Sequence, residues 1–489
     1  MQENKLSRRA LLRLFGVGTA AAALAACQPK VVEVEKIVKE TVIVEGEAKE
    51  VTKVVEVEKV VKETVVVTEE KVVEKVAEQA EVRFLYDPSP EQLKLALPLL
   101  DAFQDQTGVR LRVEPLPGGT EKLLAALAAG TAPDVFGNWG NGMRNLIEKG
   151  QCLNLDTLVS RDFAQDEMDD FVKSQIDAAT FNGSLFAMPQ YCGIWAGFYN
   201  KRILDEAGLA YPDKDDWSYD TYLDYAIKTT KRDDNGRPLQ LGVDEWFGFE
   251  FTISTNVWTW GGEVHDPADN RICKLGEEKA MAAMQWLADF RWKYKVAGTD
   301  SENAAINNAG GGNGLFGSDL VAMKPEGSWG TKGFIEAAAD RFDWGVMPHH
   351  RGPDGHRMTF STTDTWMINA KTTVPDAAWE WLKYITGPDW QRMRISANGL
   401  QPCRRSLAQE WVDWATAYAK EKNPNADQDF NVFVEGFDYC RPMVWFSNHT
   451  DAMEILRPVI DQIYKVGDVQ VTDVIPDACA KVTELLTKA

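Results

Sequence analysis

The stretch that most constrains the fold is residues 182–209, NGSLFAMPQYCGIWAGFYNKRILDEAGL. It opens on the tight-turn dipeptide Asn182-Gly183 and continues as an apolar run to Pro189, which lacks a backbone donor and suits the end of a strand. Helical spacing follows, and Gly208 stands where a left-handed helix stop is expected. The order of strand, joint and helix predicts that one lobe ends here and another begins.

Aromatic residues are concentrated at this joint: Tyr191, Trp195, Phe198 and Tyr199. Large rings at the boundary between two lobes predict the wall of a cleft. We therefore take Tyr191 and Trp195 as candidate ligand contacts.

The chain before the joint alternates strands and helices. The pattern predicts, in order, a strand from Glu81, a helix over residues 90–106, a strand at 111, a helix over 120–129 and a strand at 133. This alternation favours a parallel sheet with right-handed crossovers. In open sheets of this kind, ligands bind beyond the carboxyl ends of the strands.

Several polar and aromatic residues follow these predicted strand ends: Tyr86, Asp87, Asn138, Trp139 and Asn141. Trp139 lies in a loop between Gly137 and Gly140, which favours a ligand contact, although burial in the core is the alternative. Asn138 and Trp139 are the stronger candidates, and Asp87 is a weaker one.

Length and charge limit the class of protein. A chain of 489 residues is too long for one ordinary core, so two or more lobes are expected. With 53 basic and 74 acidic side chains the net charge is −21, which disfavours binding to nucleic acid or to an anionic lipid surface. The 17 tryptophans exceed what a core of this size needs, which predicts that some line a binding surface.

The amino terminus has the features of an export signal. A basic region with Arg8-Arg9 resembles a twin-arginine motif, and Leu24-Ala25-Ala26-Cys27 resembles a lipobox, in which Cys27 becomes lipidated. The alternative is an uncleaved membrane anchor, but the apolar run is shorter than the roughly 20 residues that a span needs. We expect a lipoprotein on the outer face of the cytoplasmic membrane.

Residues 31–80 consist almost wholly of Val, Glu, Lys and Thr, and VVEVEKIVKETVIVE at 31 returns as VVEVEKVVKETVVVT at 54. Such a tract cannot bury a globular core of its own. It is typical of a solvated, partly helical spacer, with a self-associating coiled coil as the alternative.

The rest of the chain resembles the extracellular solute-binding proteins of ABC importers, in the large sugar-binding group that includes maltodextrin-binding proteins. The resemblance depends on five motifs in order: AAGTAPDVFGNWG at 128, residues 182–209, LFGSDLVAMKPEGSWG at 315, PDAAWEWLKYITGPDWQ at 375 and WFSNHTDAMEILRPVIDQIYKVG at 445. Together they span most of residues 81–489.

The resemblance implies an α/β fold of the two-lobed periplasmic-binding type, with two discontinuous α/β lobes joined by a hinge and preceded by a signal peptide and a low-complexity stalk. The expected boundaries are 1–26 for the signal peptide, 27–80 for the lipidated cysteine and stalk, 81–190 plus 362–430 for the first lobe, and 191–361 plus 431–489 for the second.

The resemblance also implies further ligand contacts. Trp329 matches the family's stacking tryptophan, Glu326 precedes it, and Trp445 stands where relatives stack on sugars. Residues before Gly261-Gly262 build part of the cleft wall in relatives, which implies one of Trp258 and Trp260. The second hinge strand implies Asp364 and Trp366, and a family loop with an arginine near the ligand implies Arg404.

Other motifs are weak. Gly312, Gly314 and Gly317 form a G-x-G-x-x-G with no preceding strand, which is typical of a flexible loop. The histidines of PHHRGPDGHR, at 349, 350 and 356, are expected on a surface loop rather than around a metal. The remaining cysteines contain no C-x-x-C, and their pairing stays open: Cys152, Cys192, Cys273, Cys403, Cys440 and Cys479.

The sequence therefore predicts a tethered receptor that captures a sugar or oligosaccharide between two lobes and presents it to an ABC permease, with no cofactor and no catalysis. A peptide, polyol or glycerol-phosphate ligand is the alternative within transport. A secreted glycoside hydrolase stays open because its paired carboxylates leave no local signature. An adhesin that oligomerises through the stalk is the third alternative.

Overall fold

The computed structural model describes residues 80–115 and 119–488. The predicted signal peptide, Cys27 and the stalk lie outside the described residues. The rest belongs to one compact unit, Gln79–Ala489. Within the described ranges, none of the helices combines the length and the apolarity that a membrane crossing requires.

The strands of the described residues are numbered β1 to β14 in chain order: Glu81–Leu85, Arg110–Glu114, Val135–Trp139, Thr180–Phe181, Ser184–Leu185, Met188–Tyr191, Trp195–Asn200, Lys231–Arg232, Pro238–Val243, Val321–Gly327, Trp344–Met347, Thr359–Ser361, Asp364–Ile368 and Cys440–Pro442. The turn predicted at Asn182-Gly183 joins β4 to β5, and both of its residues have positive φ.

The α-helices of the described residues are Pro90–Thr107, Gly119–Ala129, Gly140–Glu148, Asp156–Asp162, Gln165–Asp169, Lys173–Ala179, Lys201–Glu206, Tyr219–Thr229, Ser254–Thr259, Glu278–Trp292, Asp300–Ala309, Thr331–Ala338, Pro375–Ile385, Pro388–Asn398, Ala408–Lys422, Asn431–Glu435, His449–Asp461 and Val471–Lys488. Every strand and helix predicted before residue 140 is present. Trp258 and its neighbours form the helix Ser254–Thr259.

The first five-stranded sheet has the order β2-β1-β3-β13-β6. Strands β1, β2 and β3 are parallel, as the alternation of strands and helices predicts, whereas β13 runs antiparallel to both β3 and β6. Alternate residues of β1 face the core, with Val82 and Phe84 fully buried and Arg83 bound to Glu114 at 2.7 Å on the outer face.

The second five-stranded sheet has the order β11-β7-β10-β9-β8. Strands β9 and β10 are parallel, and β7 lies antiparallel between β10 and β11. Every residue of β7 is buried, which is the pattern of a central strand covered on both faces.

The chain passes between the two sheets at the predicted joint, where residues 192–194 connect β6 to β7. It passes back through β12, which leads into β13 of the first sheet and pairs with β14 in a separate two-stranded sheet. The fold is therefore mixed α/β with two sheets, as predicted. The domain boundaries given above stay a prediction.

The histidine loop differs from expectation. His356 is exposed, but His349 and His350 are 6% and 3% exposed, and the prediction of a surface position is wrong for both. His350 packs against Tyr222, Trp260 and Trp286, which the isolated segment could not reveal. Burial lowers the pKa of His350 to about 3.

One disulfide joins Cys273 to Cys479 and ties the segment before helix Glu278–Trp292 to the carboxy-terminal helix. Cys152, Cys192 and Cys403 are buried free thiols. The pairing that the spacing left open is thereby assigned for one pair.

Candidate functional site

The carboxyl edge of the first sheet gathers several of the predicted polar residues. Strand β3 ends at Trp139, and Asp364 lies opposite Trp139 on one side and Tyr191 on the other. Asn138, Tyr191 and Asp364 are half-buried, and Asp87, which follows β1, is exposed. The side chains of Trp139 and Asn141 lie outside the described residues.

Asp364 and Arg394 supply the charge at this edge. Burial raises the pKa of Asp364 to about 6, although hydrogen bonds with Tyr191 and Thr362 and the charge of Arg394 favour its ionised form. Arg394, on helix Pro388–Asn398, is half-buried and donates from Nη2 to Gln190 Oε1 at 3.1 Å. Burial lowers the pKa of Arg394. The edge therefore offers a carboxyl, a guanidinium and a phenol to one ligand.

The carboxyl edge of the second sheet also carries charge. Lys324 Nζ lies 2.8 Å from Asp244 Oδ2 and 3.8 Å from Glu326 Oε2. Burial acts to lower the pKa of Lys324, but the two carboxylates raise it overall. Burial raises the pKa of Glu326, against the opposing effect of Lys324. Glu326 is half-buried, so it keeps contact with solvent at this edge.

Five rings form an aromatic cluster at the same edge: Trp195, Trp246, Phe251, Trp329 and Phe360. The ring centroids of Trp195 and Trp329 are 5.9 Å apart, and those of Trp246 and Phe251 are 4.3 Å apart in a stacked arrangement. Trp329 is half-buried and Trp246 is 48% exposed. Both rings can therefore present a face to a ligand.

Gly193 brings the two edges together. Its N–H donates to Thr362 Oγ1 at 2.9 Å, and Ser328 N–H donates to Ile194 O at 2.9 Å. A Cβ at Gly193 would stand 2.5 Å from the ring of Trp329 and 3.0 Å from the Thr362 methyl, so only glycine fits here. Trp329 of the second sheet thus lies next to the segment that leads to Asp364 of the first.

Two of the predicted contacts are buried among other rings, and their contact with a ligand stays a prediction. Trp260 is buried against Tyr219 and Trp286, and Trp366 is buried with its ring 5.3 Å from that of Phe84. Both have the surroundings of core residues.

Arg404 makes contacts within the protein, and its contact with a ligand stays a prediction. It donates to Thr386 O at 2.9 Å and to Asp170 Oδ2 at 3.1 Å, and its guanidinium lies 4.2 Å from the centroid of Phe171. Its donors are engaged within the protein.

Three further predicted tryptophans are buried beside charged groups or within the cluster. Trp195 belongs to the aromatic cluster, Trp258 lies under the guanidinium of Arg441 at 4.6 Å, and Trp445 lies 5.9 Å from that of Arg144. Their contact with a ligand stays a prediction.

Sequence reasoning missed Trp246 and Arg394 as site residues. Trp246 stands among several aromatic residues from 246 to 260, and only its exposure separates it from the core rings. Arg394 belongs to a helix distant in sequence from every strand end, so no local pattern marked it.

Two α/β sheets with binding groups at their adjoining carboxyl edges define a solute-binding protein of the two-lobed type. Residues 88–392 match the family model of the bacterial extracellular solute-binding proteins. The chain belongs to this family. The family is one of binding components and not of enzymes, and its members act outside the cytoplasm.

Similar proteins support the same fold. An ABC substrate-binding protein from Listeria monocytogenes, solved in complex with cycloalternan, has a TM-score of 0.68 and 17% identity, over 84% of this chain and 100% of that one. A cyclic α-maltosyl-1,6-maltose binding protein from Arthrobacter globiformis has a TM-score of 0.67 and 17% identity, with the same coverage. An erythritol/L-threitol-binding protein from Mycolicibacterium smegmatis is 24% identical over 355 residues, 67% of this chain and 71% of that protein.

Proposed function

We propose that the protein captures a sugar or oligosaccharide between the carboxyl edges of its two sheets and delivers it to an ABC permease. One observation carries this proposal: the accessible rings of Trp246 and Trp329 stand at one edge, while Asp364, Arg394 and Tyr191 stand at the other.

Carbohydrate chemistry explains why this combination matters. A sugar ring has an apolar C–H face that stacks on an indole, and hydroxyl groups that need donors and acceptors at its edge. A ligand that contacts both sheets favours the arrangement in which they are close together. Binding and release then require no chemistry on the ligand.

The ligands named for similar proteins support a carbohydrate ligand, and they range from a small polyol to cyclic oligosaccharides. Two of the similar structures are named for cyclic oligosaccharides, cycloalternan and cyclic α-maltosyl-1,6-maltose. A relative named for erythritol and L-threitol makes a small polyol the second candidate.

Titration calorimetry of the purified full chain with maltotetraose, cycloalternan and erythritol tests the proposal. We expect saturable binding of at least one, with the ligand recovered unchanged. Hydrolysis of an oligosaccharide would instead favour the glycoside hydrolase alternative, and no binding of any of the three would contradict the carbohydrate assignment.

Affinity should depend on pH through Asp364. The ionised carboxylate accepts hydrogen bonds from ligand hydroxyl groups, and its pKa of about 6 means that it becomes protonated as the pH falls through that value. We expect roughly tenfold weaker binding at pH 5 than at pH 7.5, because each pH unit below the pKa reduces the ionised fraction about tenfold. In the Asp364→Asn variant the affinity should be low and independent of pH over this range; an equally steep pH dependence would assign the effect to another group.

We further propose that the binding lobes, 81–190 plus 362–430 and 191–361 plus 431–489, are held at the membrane through a lipid on Cys27 and the stalk. The twin-arginine-like pair and the lipobox-like Leu24-Ala25-Ala26-Cys27 support this. Replacing Cys27 with alanine should move the protein from the membrane fraction to the soluble fraction in fractionated cells. Retention in the membrane would favour an uncleaved anchor.

A further inference from the structure

A second concave site lies apart from the aromatic cluster. It is a cavity of about 390 Å³ lined by Lys214, Asp215, Arg351, Gly355, His356, Arg357, Glu435 and Tyr439. We call it the arginine pocket. Three of its lining side chains are cationic and two are carboxylates, in a chain whose net charge is −21.

The two arginines of this pocket share it with the carboxylates of Asp215 and Glu435, neither of which forms a close ion pair with them. Among the described residues, neither Arg351 nor Arg357 has a carboxylate oxygen within 4.0 Å, whereas Lys214 pairs with Glu435 at 2.7 Å. Arg357 is half-buried, and its Nε–H is buried without a hydrogen-bond partner. Arg351 and Arg357 thus stand in one pocket without a close carboxylate, in a chain that has 74 acidic side chains.

The backbone around the pocket fixes where these arginines stand. Arg351 N–H donates to Trp217 O at 2.8 Å and Arg351 O accepts from Tyr219 N–H at 2.7 Å. Arg351 Nη1 donates to Gly355 O at 3.2 Å, and Arg357 Nη2 donates to Lys214 O. Both guanidinium groups are therefore oriented while part of their donor capacity stays unused.

A partly buried cation without a partner costs free energy that an anion can offset. A guanidinium presents a planar fork of N–H donors that matches a carboxylate or a phosphate. We propose that the arginine pocket binds a small oxyanion, a phosphate or a carboxylate, independently of the carbohydrate.

The arginine pocket lies beside the segment through which the chain returns from the second sheet to the first. Arg357 lies just before β12, and Tyr439 lies directly before β14, with which β12 pairs. Strand β12 also contributes Phe360 to the aromatic cluster. An anion held between these segments would stabilise the β12–β14 pair, through which the chain returns to the first sheet.

Thermal unfolding of the full chain in inorganic phosphate, without sugar, tests this inference. We expect the Tm to rise with the logarithm of the phosphate concentration above the Kd, by about 2 °C at ten times the Kd, relative to sodium chloride of equal ionic strength. The Arg351→Gln variant should lose this rise. Arg271→Gln, which removes an exposed cation paired with Asp269, should keep it at the same net charge.

A variant that binds phosphate more tightly than the wild type cannot be explained by misfolding. Glu435→Gln releases Lys214 from its ion pair and removes a carboxylate from the pocket, so phosphate should bind at least threefold more tightly. No rise of the Tm in the wild type beyond that in sodium chloride, or an equal rise in Arg351→Gln, would overturn the proposal.

Anionic lipid is the other source of an oxyanion. In the Cys27→Ala background, cosedimentation with phosphatidylglycerol vesicles without any response to phosphate would also overturn the proposal, because the pocket would then be a lipid contact. Failure of either test leaves carbohydrate binding untouched, since no sugar is present.

Discussion

Replacing Trp329 by alanine is expected to weaken carbohydrate binding by roughly 30- to 1,000-fold, which corresponds to about 2–4 kcal/mol. Trp329 is half-buried, its ring packs 5.9 Å from that of Trp195, and it adjoins the connection between the sheets at Gly193. Truncation removes the stacking surface of the ligand at the centre of the site. Calorimetry with the tightest ligand of the panel measures the loss.

The matched control is Trp414→Ala. Trp414 is also partly buried and stacks on Tyr418, but it lies on helix Ala408–Lys422 and outside the aromatic cluster. We expect its affinity to match that of the wild type. Equal loss of affinity in both variants would indicate general destabilisation, and full affinity in Trp329→Ala would remove Trp329 from the site.

Stability should fall as the pH rises because of Glu245. This carboxyl is 6% exposed, accepts from Tyr222 Oη at 3.3 Å, and lines a small cavity with Trp195, Asn256, His349 and His350. Burial raises the pKa of Glu245 to about 8, and Asp244 acts in the same direction, while Thr252, Lys324 and Tyr222 oppose it. The folded protein therefore prefers the neutral acid at this position.

The direction of this pH dependence follows from the linkage between protonation of Glu245 and folding. A folded-state pKa above the unfolded value of about 4.5 gives stability that is fully present below that pH and is lost as the pH rises through about 8. The shift corresponds to a loss on the order of 5 kcal/mol in the free energy of unfolding. Glu245→Gln keeps the shape of the side chain and cannot ionise, so this loss should disappear.

Urea unfolding at pH 4.5 and pH 9 measures the effect. We expect Glu245→Gln and the wild type to be similarly stable at pH 4.5 and the variant to be clearly more stable at pH 9. The exposed Glu278→Gln serves as control and should follow the wild type at both values. The contributions of other titrating groups to stability cancel when the variant is compared with the wild type at the same pH. A variant that is less stable than the wild type at pH 9 would show that ionised Glu245 has a favourable partner.

Local patterns predicted much of the fold because they are set by neighbours in the chain. The turn at Asn182-Gly183 and the helix from Lys201 depend on backbone preferences and periodicity, and both are present. The strand predicted to end at Pro189 is instead divided into β5 and β6, and β6 continues through Pro189 to Tyr191. Strand β1 likewise alternates inward and outward residues, as its alternation of polar and apolar residues predicts.

The prediction that was wrong depends on contacts between residues that are distant in sequence. His349 and His350 occupy a polar segment with turn residues, and His350 is buried because Tyr222, Trp260 and Trp286 pack around its ring. No periodicity within the segment carries that information.

The residues of the candidate site also differ in how far the sequence indicated them. Asp364, at the start of β13, and Trp329, shortly after β10, were predicted from family motifs, and their contact with a ligand stays a prediction. Arg394 reaches the edge from a helix that packs against helix Pro90–Thr107 and belongs to none of these motifs. Arg404 was predicted from a loop resemblance, but its donors are engaged by Asp170 and Thr386. A loop pattern gives the position of a residue and not the direction of its side chain.

A crystal structure of the complex with the tightest oligosaccharide of the panel tests the central claim most directly. We expect ligand density between the sheets, with a sugar face on Trp329 and hydroxyl groups within hydrogen-bond distance of Asp364. Density bound elsewhere, or contacts with one sheet only, would contradict it.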